Sequence, residues 1–133
     1  MIIADTSVWI DYFNGIDNEL TQYLDSSLIE GSVAIGDLIF LEILQGFRND
    51  KEYRLAKSRL ETLPQYEMFG LDMVEHCAKN YRALRKKGIT IRKTSDVIIA
   101  TFCIDHELPL LFSDKDFIPF VDHLRLTPAL RET

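Results

Sequence analysis

The residues of this sequence that are best suited to chemistry are acids that follow short apolar runs. Asp5 comes directly after Ile2-Ile3-Ala4, and Asp114 comes shortly after Leu110-Leu111-Phe112. Such runs are too short for helices and are typical of strands that are buried on both faces of a parallel sheet. Ligands of such sheets bind at the carboxyl ends of the strands, so Asp5 and Asp114 are expected at a shared site.

Two further acids lie in apolar helical segments. Glu42 is the one charged residue between positions 38 and 44, where burial of an ionised side chain is costly unless a cation or hydrogen-bond donors meet it. Asp96, preceded by the cap-forming residues Thr94 and Ser95, begins the apolar segment 97–100. In an α/β fold such a helix start points to the edge where strands end, so all four acids could converge.

Carboxylates that are packed together raise one another's pKa values unless a cation lies among them. Ligands that are all oxygen favour Mg²⁺ or Mn²⁺, and the histidines show no zinc-binding spacing. The segment Asp114-Lys115-Asp116 begins like a calcium loop, but Pro119 stands where that loop needs glycine. A hard cation on carboxylates can activate water at a phosphate, so phosphodiester hydrolysis is the leading chemistry.

Structural roles also fit each acid taken alone. Asp5, Asp96 and Asp114 could be cap or turn residues, and Glu42 could pair with a base such as Arg48 or Arg92. The protein would then be a non-catalytic binding module. A phosphotransfer domain is the other alternative, but a phosphatase of the haloacid-dehalogenase type would have a second aspartate where Ser7 stands, and a receiver domain would have adjacent acids after the first strand.

Strands and helices are predicted to alternate along the whole chain. Short apolar runs predict strands at 2–4, 33–35, 66–69 and 110–112, with a final edge strand at 124–126. Apolar and amphipathic stretches predict helices at about 8–13, 17–30, 38–44, 50–62, 72–88 and 97–105. This order indicates one α/β domain over residues 1–133, with a short parallel sheet and helices on both faces.

Charge is distributed unevenly in a chain whose net charge is −6. The first fifty residues hold nine acids against one base, and the remainder has a net charge of +2. Within the remainder, six bases occur in twelve acid-free positions and could steer a phosphate-bearing substrate: Arg82, Arg85, Lys86, Lys87, Arg92 and Lys93. The absence of a basic amino-terminal region and of long apolar runs leads us to expect a soluble, cytoplasmic protein.

Four segments taken together resemble the PIN-domain nucleases, most closely the VapC-type toxins of toxin–antitoxin pairs. Each segment contains one of the four acids and no segment is specific alone, but their order and spread over the chain match the family. They are Ile3-Ala4-Asp5-Thr6-Ser7-Val8-Trp9-Ile10, Leu41-Glu42-Ile43-Leu44-Gln45-Gly46, Asp96-Val97-Ile98-Ile99-Ala100 and Leu111-Phe112-Ser113-Asp114-Lys115-Asp116-Phe117.

This resemblance implies a three-layer α/β/α fold and Mg²⁺- or Mn²⁺-dependent endoribonuclease activity. It implies that four acids bind the metal and carry out catalysis, namely Asp5, Glu42, Asp96 and Asp114. Asp5 and Asp96 are implied to be the main metal-holding pair. Asp116 is an alternative to Asp114. Thr6 and Ser7 are implied to support the site by hydrogen bonding. The family further implies a homodimer, a cognate antitoxin that covers the acidic groove, and a structured RNA substrate such as transfer RNA or ribosomal RNA.

Overall fold

The computed structural model describes residues 1–130, so the end of the predicted domain, residues 131–133, lies outside the described residues. Strands alternate with helices as the sequence predicts. The strands are β1 Ile2–Ala4, β2 Val33–Gly36, β3 Gln65–Tyr66 and β4 Leu110–Leu111. The helices are α1 Thr6–Phe13, α2 Glu19–Ile29, α3 Asp37–Gln45, α4 Asp50–Leu60, α5 Leu71–Lys86, α6 Thr94–Asp105 and α7 Ile118–Leu124, with a 3₁₀ turn at Lys115–Phe117.

Within this part of the chain the strands form one parallel sheet in the order β3-β2-β1-β4. Ile3 of β1 lies between Ala34 of β2 and Leu110 of β4, so β1 is an interior strand. The residues of β1, β2 and β4 are buried, as expected where helices cover both faces of a parallel sheet. The predicted α/β architecture is therefore confirmed.

The short strands bring the two strand-end acids to one edge. The backbone N–H of Asp5 donates to the carbonyl of Leu111 at 2.8 Å, which continues the β1–β4 ladder by one residue beyond Ala4. Asp5 then becomes the N-cap residue of α1, with extended backbone angles. Because β4 runs parallel to β1, Asp114 leaves the sheet on the same side as Asp5.

The predicted final strand at 124–126 is wrong. Leu124 ends α7, a helix that begins with Ile118 and Pro119, and proline suits the first turn because its missing N–H needs no partner there. The chain pairs beside β4 slightly later, where Leu110 donates to Thr127 and accepts from Ala129, both at 2.9 Å. The pairing with β4 is thus an isolated bridge between Pro128 and Leu110.

Two further boundaries differ from the sequence prediction. The third strand is Gln65–Tyr66 instead of 66–69, because the N–H of Met68 donates to the Asp37 carboxylate at 3.0 Å and leaves the ladder. Helix α6 begins at Thr94, so Asp96 lies in its first turn and is not its cap residue. Among the described residues, no helix has both the length and the apolar character that crossing a membrane requires.

Gly36 ends β2 where a side chain has no room. A Cβ atom built there would overlap the Met68 side chain, which is fully buried. Gly36→Ala is expected to destabilise the protein by about 1–3 kcal/mol, the usual cost of overpacking a core. Urea unfolding measures the change. Gly46→Ala is the control, because Gly46 has ordinary right-handed backbone angles and a more open environment; equal stability of both variants would contradict the predicted close packing.

Candidate active site

Asp5 lies at the centre of the sheet edge and is 6% exposed. Its Oδ2 atom accepts a hydrogen bond from the Ser7 hydroxyl at 3.1 Å, and the Ser7 hydroxyl also lies 3.2 Å from that of Ser113. Residues of α1 and of the loop after β4 are therefore joined around the first acid. Ser7 therefore contacts Asp5 directly, and its supporting role stays a prediction.

Glu42 reaches the same region from α3. Its Oε1 atom accepts a hydrogen bond from the Thr6 hydroxyl at 2.8 Å, across 36 positions of sequence. Glu42 is partly exposed, and the Thr6 hydroxyl is a hydrogen-bond donor of the kind that its place in the apolar segment 38–44 requires. Arg48 and Arg92 are not its partners among the ion pairs of residues 1–130. The alternative of a structural ion pair for Glu42 is therefore not supported.

The remaining acids form the tightest group of carboxylates in the described part of the chain. Asp96, Asp114 and Asp116 each present one oxygen, and these oxygens lie within 4.8 Å of one another. Asp114 also accepts a hydrogen bond from the N–H of Asp116 at 2.9 Å, which fixes the turn after β4. Both aspartates after β4 therefore belong to this group, which we call the aspartate cluster, and Asp5 lies beside it.

Two bases face the aspartate cluster. The Lys93 Nζ atom lies 3.6 Å from Asp114 Oδ2, and the Arg92 Nη2 atom lies 3.6 Å from Asp116 Oδ2. Both contacts are longer than a hydrogen bond, and the side chains of Lys93 and Arg92 are 62% and 82% exposed. Exposed pairs of this kind contribute little stability and exchange partners readily.

The pKa values of the two most buried acids show that they resist ionisation. Burial, strengthened by the charge of Asp5, raises the pKa of Asp96 to about 7, against the opposing charge of Lys93. Burial also raises the pKa of Asp5 to about 6, and the charge of Glu42 adds to this effect, while Ser7 opposes it. The site is thus short of positive charge at neutral pH.

These residues fit a hard divalent cation. The Oδ2 atoms of Asp96 and Asp116 are buried and have no hydrogen-bond donor within residues 1–130. Oxygens that share one Mg²⁺ ion lie roughly 3–4 Å apart, and those of the aspartate cluster lie within 4.8 Å of one another. The candidate metal ligands are all carboxylates, which favours a hard cation over zinc.

The six predicted basic residues lie in two environments. Arg82, Lys86 and Lys87 line a shallow pocket of about 470 Å³ on α5, together with Lys79 and Ala83. Arg85, on the same helix, lies over the ring of Tyr81 at 5.6 Å from its centroid. Arg92 and Lys93 instead face the aspartate cluster. We refer to Lys79, Arg82, Lys86 and Lys87 as the basic face of α5.

Sequence reasoning missed two features of the site. Ser113 was not proposed as a supporting residue, although its position immediately before Asp114 at a strand end was the available signal. The sequence predicts one basic patch from Arg82 to Lys93, whereas Lys93 is the N-cap residue of α6 and lies close to the acids. A cation at a helix amino terminus opposes the helix dipole, and that conflict was a signal for a nearby acid.

The chain belongs to the PIN domain family, whose model matches residues 2–120. Two similar proteins are VapC ribonuclease Mb1587 of Mycobacterium bovis and Ribonuclease VapC11 of Mycobacterium tuberculosis H37Rv. Each is 29% identical over 119 residues, which cover 88% of this chain and 89% of the relative. The family predicted from four acidic segments is confirmed.

Solved structures show the same fold. The chain resembles VapBC2 from Rickettsia felis, a structure bound to a DNA fragment from its promoter, with a TM-score of 0.75, 17% identity and coverage of 96% of this chain and 97% of the other. FitAcB from Neisseria gonorrhoeae gives a TM-score of 0.68 at 20% identity, with 96% of both chains covered. The three-layer α/β/α fold is therefore confirmed as well.

The raised pKa of Asp96 predicts how pH affects stability without metal. The folded protein retains the Asp96 proton up to about pH 7, whereas the unfolded chain loses it near the ordinary pKa of 3.8. Stability should therefore fall as pH rises from about 4 to about 7. Asp96→Asn removes this titration and should stabilise the metal-free protein at pH 8 by on the order of 2 kcal/mol.

Thermal unfolding in chelator at pH 5 and pH 8 measures this effect. Asp122→Asn, at an exposed acid of α7, is the matched control and should leave the pH dependence unchanged. Asp5, which titrates at about 6, should maintain a smaller pH dependence in the Asp96 variant. An Asp96→Asn protein that is less stable than the parent at pH 8 would show that Asp96 is a structural residue.

Proposed function

We propose that this protein is a metal-dependent endoribonuclease and the toxin of a type II toxin–antitoxin pair. The observation that carries the proposal is the aspartate cluster beside Asp5, where buried carboxylate oxygens lack donors within residues 1–130. The names of the relatives, both VapC ribonucleases, support RNA as the substrate. They favour a nuclease over the binding-module and phosphotransfer alternatives.

The proposed catalytic acids are Asp5, Glu42, Asp96 and Asp114. Asp96 and Asp114 would hold a cation with Asp5, and Asp116 is close enough to replace or assist Asp114. Mg²⁺ or Mn²⁺, when bound, would lower the pKa of a water molecule and neutralise charge on the leaving oxygen. Ser7 would orient the Asp5 carboxylate through its hydrogen bond.

Glu42 is suited to the proton transfer that phosphodiester hydrolysis requires. The Thr6 hydroxyl orients its carboxylate at 2.8 Å, and its partial exposure leaves room for water. We propose that Glu42 orients the attacking water and accepts its proton, while the more buried acids bind the cation. Lys93, 3.6 Å from Asp114, would turn to the substrate phosphate once the carboxylates have a cation to neutralise them.

Partners follow from the same family. The structures of VapBC2 and FitAcB contain a chain of this fold, which supports a cognate antitoxin for this protein. We propose that this antitoxin covers the acidic site. We further propose one domain over residues 1–133, a homodimer, action in the cytoplasm, and transfer RNA or ribosomal RNA as the target. An antitoxin with a basic side chain would place a cation among the carboxylates and exclude the metal.

Asp96→Asn is expected to lower RNA cleavage by more than about a hundredfold, because a metal ligand that stabilises the transition state by several kcal/mol is lost. The assay follows end-labelled total RNA with purified, antitoxin-free protein in Mg²⁺, in Mn²⁺ and in chelator. Asp122→Asn is the control and should cleave like the parent. Metal-independent cleavage, or a fully active Asp96→Asn protein, would contradict the proposed mechanism.

The basic face of α5 is expected to guide RNA to the site. Lys86→Glu combined with Lys87→Glu should weaken RNA binding and flatten its dependence on salt, because fewer counterions are released from the RNA. Fluorescence anisotropy in Ca²⁺ at several salt concentrations measures both. Lys51→Glu with Lys57→Glu on α4 changes the net charge equally and is the control; equal losses in the two double variants would reduce the effect to net charge.

A further inference from the structure

A pocket of about 880 Å³ opens at the loop that carries Asp114, although none of the acids of the site lines it. Ser113 and Lys115 line this pocket, while Asp114, which lies between them in the chain, belongs to the aspartate cluster. Ser113 is also linked to the first acid, because its hydroxyl lies 3.2 Å from that of Ser7, which in turn donates to Asp5 at 3.1 Å. A single loop thus contributes to both the pocket and the acids, so a ligand in the pocket would lie next to the carboxylates.

The lining of this pocket combines three kinds of chemistry. Lys115 and Arg125 are cations, and Glu19 is a hydrogen-bond acceptor. The apolar part includes the aromatic ring of Phe112 and the aliphatic side chains of Leu20, Ile118, Val121 and Leu126. Aromatic and apolar side chains stack on nucleobases, a carboxylate accepts from base amino groups, and cations contact phosphates. The volume lies within the roughly 300–1,000 Å³ typical of small-ligand pockets, which is enough for one nucleotide.

Arg125 has an unusual backbone for an arginine. It follows α7 with φ at 69°, in the left-handed region where helices usually end with glycine or asparagine. Glycine would end α7 without this steric cost, and the chain instead presents a long cationic side chain to the pocket. Glu107 also has a positive φ in the described part of the chain but lies outside the pocket, so it is the position of Arg125 in the pocket lining, together with its charge, that points to a ligand.

We propose that the pocket binds the nucleotide adjacent to the scissile phosphate, with the base against Phe112 and a flanking phosphate on Arg125 and Lys115. This inference rests on the proposed nuclease function and adds a recognition site to it. Two cations next to a metal-binding cluster of acids favour a polyanion as the ligand, because a polyanion can extend from the cations to the cluster. An apolar peptide segment is the less favoured ligand. The bound base would select which nucleotide is presented to the aspartate cluster.

The test titrates the full-length, metal-free protein with each of the four nucleoside 5′-monophosphates, followed by protein NMR. We expect at least one to shift the amide signals of Phe112, Ser113 and Lys115. Arg125→Gly should weaken that binding by about tenfold, the loss typical of one charge-assisted hydrogen bond. Glycine suits the left-handed backbone, so this variant should fold with unchanged or greater thermal stability.

Arg54→Ala is the matched control, because Arg54 is an exposed arginine of α4 that does not line the pocket. Equal affinity of the parent and Arg125→Gly would overturn the inference. A parent protein that cleaves RNA but binds no monophosphate at millimolar concentration would also overturn the inference. The pocket would then be a candidate binding site for a protein partner. Arg125-dependent binding by a chain that cleaves no RNA would support the pocket while removing the nuclease function.

Discussion

The cost of burying carboxylates at one edge of a small sheet, increased by their mutual repulsion, is the constraint that shapes this molecule. Asp5 and Asp96 are almost fully buried, and their pKa values of about 6 and 7 record the cost of ionising them there. A domain of this size has a net stability of only about 5–15 kcal/mol, so acids with such a cost are retained where they have a function. The exposed cations Lys93 and Arg92, each 3.6 Å from Asp114 or Asp116, compensate this group of acids only in part.

The fold brings the acids together by simple means. Parallel β1 and β4 deliver Asp5 and Asp114 to one edge, while α3 and α6 bring Glu42 and Asp96 to the same place. Hydroxyl groups in the first turn of α1 then join these elements, since Thr6 donates to Glu42 and Ser7 donates to Asp5. Strands only two to four residues long suffice, because their main role is to set the direction in which the chain leaves the sheet.

Much of this arrangement is predictable from sequence, for physical reasons. Runs such as Ile2–Ala4 fit few structures other than a buried strand, and an acid directly after such a run must lie at the sheet edge. The segment 124–126 misled because its alternation resembles a strand, whereas Pro119 stabilises the start of a helix that extends to Leu124. Contacts between distant segments, such as Lys93 with Asp114, depend on side-chain directions that local patterns do not encode.

We propose that the aspartate cluster is a metal site and not a set of structural ion pairs. The most direct measurement is anomalous diffraction from crystals of the protein grown with Mn²⁺. We expect a strong anomalous peak in contact with Asp96 and Asp114, with Lys93 displaced from its position near Asp114. Absence of a peak at saturating Mn²⁺, with Lys93 and Arg92 still paired to Asp114 and Asp116, would show that the cluster is a set of structural ion pairs.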